Sequence, residues 1–313
     1  MKIGLIALVQ DEIHQAPAGH PETAHRLVFA LNHVMNSDIA SSLISYIPLE
    51  VEAGTIIGKI HDEKYISILK KTAENGGGYL DGDTYVTTGS FAAAWETAET
   101  AVAAVNDIIG GKFKRIFLAG RPPGHHAEYN HGMGFCLINN TAVAAEAAVT
   151  NHKLARVAIV DWDVHHGNGT QHSFYDRSDI YFISLHRYPF YPGSGATSER
   201  GTGKGEGFTL NIPLPQGTGG EIYLRAFAEK IIPALEKYAP ELIIITAGFD
   251  AHRDDPLGGM DLDGEIFGEM TRQLVNVANQ FCDGRILSLF EGGYSLPGNA
   301  QSLYFHLTEL MRK

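Results

Sequence analysis

Short apolar runs recur along this chain, and most are too continuous to be half-exposed strands. They lie at 3–9, 115–119, 157–160, 180–185, 242–246 and 285–290. A strand covered on both faces reads this way, because neither face is left to water. Between the runs the apolar residues switch to helical spacing: over the alanine-rich 91–109, then 139–149, 221–238 and 265–281. Strands alternating with helices predict an α/β fold, a mostly parallel sheet with helices on both faces. No internal repeat, low-complexity tract or Pro/Ser-rich linker breaks the pattern, so one domain over 1–313 is expected.

Composition narrows the function classes. The chain has 313 residues, 44% hydrophobic and 19% charged, which suits a globular protein with a sizeable core. Its formal net charge of −12 argues against nucleic acid as a partner and would steer a cationic substrate or basic tail toward the surface. Two distant cysteines, Cys136 and Cys282, do not make a disulfide framework; they read as small buried hydrophobes of a reducing compartment, so a cytoplasmic protein is expected. The N-terminal apolar run reads as a first strand rather than a signal peptide, and no stretch approaches the roughly 18 apolar residues of a membrane span, so no membrane association is expected. Glycine clusters at 75–82, 193–207 and 292–298, either as site-shaping loops or as surface connections. There is no Gly-x-Gly-x-x-Gly between strand and helix and no phosphate loop, which points away from a nucleotide cofactor.

Candidate chemistry gathers at strand ends. Four of the runs lead directly into unusual polar sequence: Arg121-Pro122-Pro123-Gly124-His125-His126, Asp161-Trp162-Asp163-Val164-His165-His166, Gly248-Phe249-Asp250-Ala251-His252 and Glu291-Gly292-Gly293-Tyr294. In open α/β sheets ligands bind beyond the carboxyl ends of the strands, so these segments should converge on one rim. Asp161, Asp163 and His165 are spaced by two, and an extended backbone would point all three to one side. Two carboxylates and an imidazole crowded there repel and desolvate one another unless a cation binds. A catalytic zinc takes three protein ligands and keeps one position open; Asp163 and His165 offer two, and Asp250 is the best third. Asp161 could instead sit behind, receiving an imidazole N–H. The bland reading of a lone aspartate at a strand end is a helix cap, but the whole Asp-x-Asp-x-His-His run is far more specific. His125-His126, pinned behind two prolines, suits acid–base work. Tyr294, in a glycine turn, could donate to an oxyanion. No Gly-x-Ser-x-Gly elbow is present and no cysteine adjoins these histidines, which disfavours serine or thiol nucleophiles.

At these residues the sequence resembles the histone deacetylase superfamily, which includes bacterial deacetylase-like amidohydrolases and acetylpolyamine amidohydrolases. The likeness runs from Gly19-His20-Pro21-Glu22 through His61, Asp83-Thr84-Tyr85, the Arg121–His126 and Asp161–Gly169 segments, Gly134-Phe135-Cys136, Ser184-Leu185-His186, Asn211-Ile212-Pro213 and Ala247–Asp250 to Glu291–Tyr294, and it looks most like the class II branch. It implies an arginase/deacetylase fold with a central, roughly eight-stranded parallel sheet in a single domain. It implies one catalytic Zn2+ on Asp163, His165 and Asp250. His126 would be general base and then acid, and His125 an electrostatic partner oriented by Asp161. Asn168 would be the partner of His126, where class I enzymes place an Asp, and Tyr294 the oxyanion residue. A structural K+ would take Asp161, Asp163, His165, Ser184 and Leu185. A second monovalent site would take Phe174, Arg177, Ile180 and Phe208. Gly134, Phe135 and Tyr191 would wall the acyl-lysine channel, with Asp83 at its rim.

The resemblance implies removal of acetyl or other acyl groups from lysine in proteins or peptides, with acetylated polyamine as the alternative substrate. Leu257 lies where the polyamine-selective class II enzyme carries a Glu, which favours lysine. An arginase-like ureohydrolase would need two manganese ions and a second metal motif that is missing. An inactive acyl-lysine binder would leave filled catalytic positions unexplained. The sequence leaves oligomeric state and acyl length open, and a homo-oligomer is compatible with it; the role of His166 is also open.

Overall fold

The computed structural model describes residues 1–9 and 12–313. Its strands are β1 (Ile3–Leu8), β2 (Leu43–Ser45), β3 (Gly78–Tyr79), β4 (Tyr85–Val86), β5 (Arg115–Gly120), β6 (Val157–Asp161), β7 (Ile180–Arg187), β8 (Thr209–Leu214), β9 (Leu242–Ala247) and β10 (Ile286–Phe290). Its α-helices are α1 (Ala24–Met35), α2 (Gly54–Ile60), α3 (Glu63–Glu74), α4 (Ser90–Ile109), α5 (Asn140–His152), α6 (Asn168–Phe174), α7 (Gly220–Ala226), α8 (Ile232–Tyr238), α9 (Gly264–Phe281) and α10 (Leu296–Leu310). Eight strands form one parallel sheet in the order β2-β1-β5-β10-β9-β6-β7-β8, and β3 and β4 make a small antiparallel pair.

Alternation along each central strand feeds two cores. Phe117, Val160 and Ile245 pack on the side of α1, α9 and α10, while Ile116, Ile159 and Ile244 pack on the side of α4 and α5. All six are fully buried, each contributing about 1.5–3 kcal/mol of transfer free energy. The six expected strands are the six interior ones, with ends within two residues of expectation. The two strands of this sheet that were unforeseen, β2 and β8, are its edges, and the small β3–β4 pair was unforeseen as well. The single helix expected over 221–238 is instead α7, a π turn at Phe227–Ile231, and α8. Pro233 explains the break: it has no N–H to donate and its ring crowds the preceding turn, so the backbone widens ahead of it.

Local caps fix where the site loops end. Asn139 accepts from the Ala142 N–H at the start of α5 (2.9 Å), and Ser295 from the Gly298 N–H at the start of α10 (3.2 Å). Tyr294 is therefore the last residue before a capped helix.

Candidate active site

Strands β5, β10, β9 and β6 are neighbours, so the four polar segments that follow them meet on one rim, as expected. The route to the Asp161–His165 cluster differs from expectation. The extended backbone stops at Asp161, and 163–165 is bent. The Asp161 carboxylate accepts the Asp163 N–H (3.1 Å) and the Asp163 carboxylate accepts the His165 N–H (3.0 Å). Aspartate oxygens thus replace the strand ladder and curl the chain, so turn geometry rather than strand alternation gathers these side chains.

Asp163, His165 and Asp250 present ligand atoms that all lie within 4.8 Å of one another. His165 Nδ1 is 3.1 Å from Asp163 Oδ1 and 3.2 Å from Asp250 Oδ2. Ligand bonds of about 2.0–2.2 Å at tetrahedral angles separate neighbouring donors by about 3.3–3.5 Å, so the spacing suits one zinc-sized ion. Asp250 Oδ2 is buried with no hydrogen-bond partner, while its Oδ1 accepts the Val164 N–H (2.8 Å). A buried orphan oxygen beside a second carboxylate is costly unless a cation fills the gap. Burial and the Asp163 charge raise the Asp250 pKa, and burial is outweighed at His165 by Asp163 and Asp250, which lift it to about 9. The donor set therefore fits a divalent ion of the zinc type. Gly292 closes the floor: its N–H donates to Asp163 Oδ2 (2.9 Å), and a Cβ there would strike both metal-side carboxylates.

The tandem histidines are buried and their rings stand 4.0 Å apart. His125 Nδ1 pairs with Asp161 Oδ2 (3.0 Å) and His126 Nδ1 with Asn168 Oδ1 (2.7 Å). Their electrostatics diverge. Burial disfavours charge on His125, yet Asp163, Asp161 and Glu291 lift its pKa to about 10; a divalent cation on Asp163 would pull it back down. Burial, together with His125 and His165, holds His126 well below the usual imidazole value, so it stays neutral and able to accept a proton.

A cavity of about 390 Å³ opens onto this cluster. Tyr294 lines it, its phenol pushed well above the ordinary pKa by burial, so it remains a donor. The Tyr294 and Ser295 N–H groups donate to Asp255 Oδ2 (2.6 and 3.2 Å), and Arg26 lies 4.6 Å from the Tyr294 ring centroid while donating to the Glu291 and Gly293 carbonyls. Opposite Tyr294, the Phe135 ring sits edge-on at 5.9 Å. Gly134 and Phe135 both adopt left-handed backbone (φ 56° and 68°), unusual for phenylalanine, and the Phe135 N–H is held by Thr84 Oγ1 (3.1 Å). Tyr191, Leu257 and Asp83 line the exposed mouth.

Other expected residues take these places. Ser184 lies opposite Asp161 in the β6–β7 register, with its hydroxyl on His186 Nδ1 (2.9 Å), and Leu185 is buried beside it. Phe174 ends α6, Ile180 begins β7, and the Phe174 and Phe208 carbonyls accept the Arg177 and Phe182 N–H groups (3.1 Å each). His166 has both ring nitrogens engaged, by Ser194 Oγ and Gln171 Oε1, so it is not available to a metal on the adjacent cluster. Cys136 and Cys282 are buried and unpaired. Three contributors had no role assigned from sequence: Phe190, stacked 5.2 Å from the His165 ring; Arg26, under the Tyr294 turn; and Glu128, behind Asn168. Phe190 adjoins Tyr191 and Glu128 follows the histidine pair by two, so only proximity to a motif pointed to them. Glu22 was part of a motif without a role: it accepts Arg121 at both oxygens (2.6 and 2.7 Å) and Arg26 at Oε1 (3.0 Å), anchoring the segment that carries the histidines.

An all-parallel eight-stranded sheet with this rim defines the class of α/β amidohydrolases built like arginases and deacetylases. The histone deacetylase domain family matches residues 20–310, and the chain belongs to that family. It is 39% identical over 284 residues to the histone deacetylase-like amidohydrolase of Pseudomonas aeruginosa, covering 90% of this chain and 74% of that one. It is 38% identical over 287 residues to a probable deacetylase of Archaeoglobus fulgidus, covering 91% and 79%. The crystal structure of the HDA15 HD domain superposes with a TM-score of 0.91 at 34% identity, over 99% of this chain and 90% of that one. The protein is thus a deacetylase-family enzyme acting on amides. Among the described residues no helix is long and apolar enough to cross a membrane.

Proposed function

We propose that this enzyme is a zinc-dependent deacylase that hydrolyses N-ε-acetyl-lysine in proteins or peptides. The observation that carries the reading is the buried Asp163–His165–Asp250 triangle with an orphan carboxylate oxygen, lying beside His126, whose Nδ1 is held by Asn168, at the end of a mostly apolar cavity. These three residues would hold the ion, and a bound Zn2+ would supply Lewis acidity to water and to the acyl carbonyl.

The rest of the chemistry falls to the chain's own side chains. His126, with Nδ1 engaged by Asn168, takes a proton from the attacking water on Nε2 and returns it to the departing amine. His125, paired with Asp161, sets the field around the developing negative charge. Tyr294 donates its hydroxyl hydrogen to the carbonyl oxygen as it becomes an oxyanion. Phe135 and Tyr191 exclude water along the aliphatic stem of lysine. Asp83 at the rim is an acceptor for substrate backbone N–H groups. A structural K+ near Asp161 and Ser184 belongs to the same reading, as does a second monovalent ion near Phe174, Arg177, Ile180 and Phe208.

The exposed apolar Leu257 at the mouth favours a peptide over a small polycation, for which a carboxylate there would be the better partner. The test is kcat/KM on zinc-loaded enzyme for an N-acetyl-lysine peptide and for N-acetylputrescine. The peptide should be turned over faster; equal or reversed values would overturn the lysine assignment.

A further inference from the structure

His126 can act as a base on the cavity side only if its proton sits on Nδ1. That depends on which face of the Asn168 amide it meets: the carbonyl oxygen accepts an Nδ1–H, whereas the amide nitrogen would force the proton onto Nε2 and block the base. An aspartate would settle the matter by having oxygens only. An asparagine must be turned, and something has to turn it.

Glu128 supplies that bias. Asn168 Oδ1 meets His126 Nδ1 at 2.7 Å, and Asn168 Nδ2 donates to Glu128 Oε1 at 2.5 Å. An ionised carboxylate has no hydrogen to give, so it admits only the amide nitrogen on its side. The other acceptors near Nδ2 are poorer: the His126 carbonyl is long at 3.4 Å, and Met133 Sδ, at 3.5 Å, is a weak thioether acceptor. His172 keeps Glu128 ionised: its Nδ1 lies 2.7 Å from both carboxylate oxygens, and its side chain is 54% exposed, so the chain of contacts runs from solvent to His126. His172 in turn draws Glu128 below the usual carboxylate range despite burial.

We infer that Glu128 is a positioning residue: with His172 it fixes the Asn168 amide and thereby sets the His126 tautomer. The inference rests on the proposed role of His126 as base.

The experiment is steady-state deacetylation of an acetyl-lysine peptide by zinc-loaded E128A, E128A/N168D and H126A. E128A should lose about ten- to hundredfold in kcat, the usual effect of removing an outer partner, with KM within twofold. Adding N168D should restore most of that loss, because aspartate presents an acceptor in either orientation; a merely structural role for Glu128 would not be repaired this way. E128A at wild-type kcat, or a double variant no better than E128A, would overturn the inference. Should E128A fail to fold, two isosteric variants decide. N168D alone sets two carboxylates face to face and should lose activity, and E128Q/N168D, which restores a donor between them, should recover it; no recovery overturns the inference. An active H126A would instead sink the proposed mechanism, a distinguishable result.

Discussion

His61 offers a quantitative check on the packing behind the catalytic loop. It follows the last residue of α2, is fully buried, and uses both ring nitrogens: Nδ1 bonds the Glu128 carbonyl (2.8 Å), so it carries the hydrogen, and Nε2 accepts the Asn139 N–H (2.9 Å). Protonating Nε2 would set two N–H groups against each other at the start of α5. Burial lowers the pKa to about 4, only partly offset by the Glu128 carbonyl and the charges of Asp62 and Glu128. The unfolded chain binds a proton near pH 6.5 and the folded chain near 4, so stability is present above 6.5 and falls as pH drops between these values. With these two values, His61 costs on the order of 2 kcal/mol of stability at pH 5 and almost none at pH 7. Replacing it with Gln should remove on the order of 2 kcal/mol of the wild type's loss between pH 7 and pH 5. The assay is urea unfolding of wild type and H61Q at both pH values, read by near-ultraviolet circular dichroism. The difference of differences cancels other groups, including any metal loss. Equal losses in the two proteins would show that His61 does not carry this pH dependence.

Two further outcomes are expected. Tyr294→Phe should lower kcat by about 10²–10³ while zinc content, measured by elemental analysis, stays at the wild-type level; near-normal turnover removes Tyr294 from the mechanism. Glu22→Gln should cost about 3–5 kcal/mol in chemical denaturation, because it removes the buried carboxylate charge to which both the Arg121 and Arg26 guanidiniums donate; a loss under about 1 kcal/mol would contradict that role for Glu22.

The interior of the fold was legible because β1, β5, β10, β9, β6 and β7 are covered on both faces, and burial writes an unbroken apolar run into each. The edges were not. Strand β2 has only three residues, and β8 alternates polar and apolar and contains Pro213, which cannot donate to a ladder and is tolerated because one side of β8 is free. Helices α1, α2, α3, α6 and α10 lay outside the four long periodic stretches that predicted helix.

Within the site, residue types and strand ends were enough to point to Asp163, His165 and Asp250, since parallel strands present all their carboxyl ends on one rim whatever their order. The bend at 163–165 was not visible, because a side-chain oxygen accepting a backbone N–H two residues on leaves no hydrophobic signature. Contacts between elements far apart in sequence, Glu128 on Asn168 and Arg26 under Tyr294, depend on side-chain packing that periodicity does not encode.

The central claim is tested most directly by titrating metal-free protein with Zn2+ while following acetate release from an acetyl-lysine peptide, alongside D250A. Turnover should rise to a plateau at one zinc per chain, and D250A should neither bind zinc tightly nor release acetate. Acetate release that needs no metal, or that requires two transition-metal ions per chain, would contradict the account.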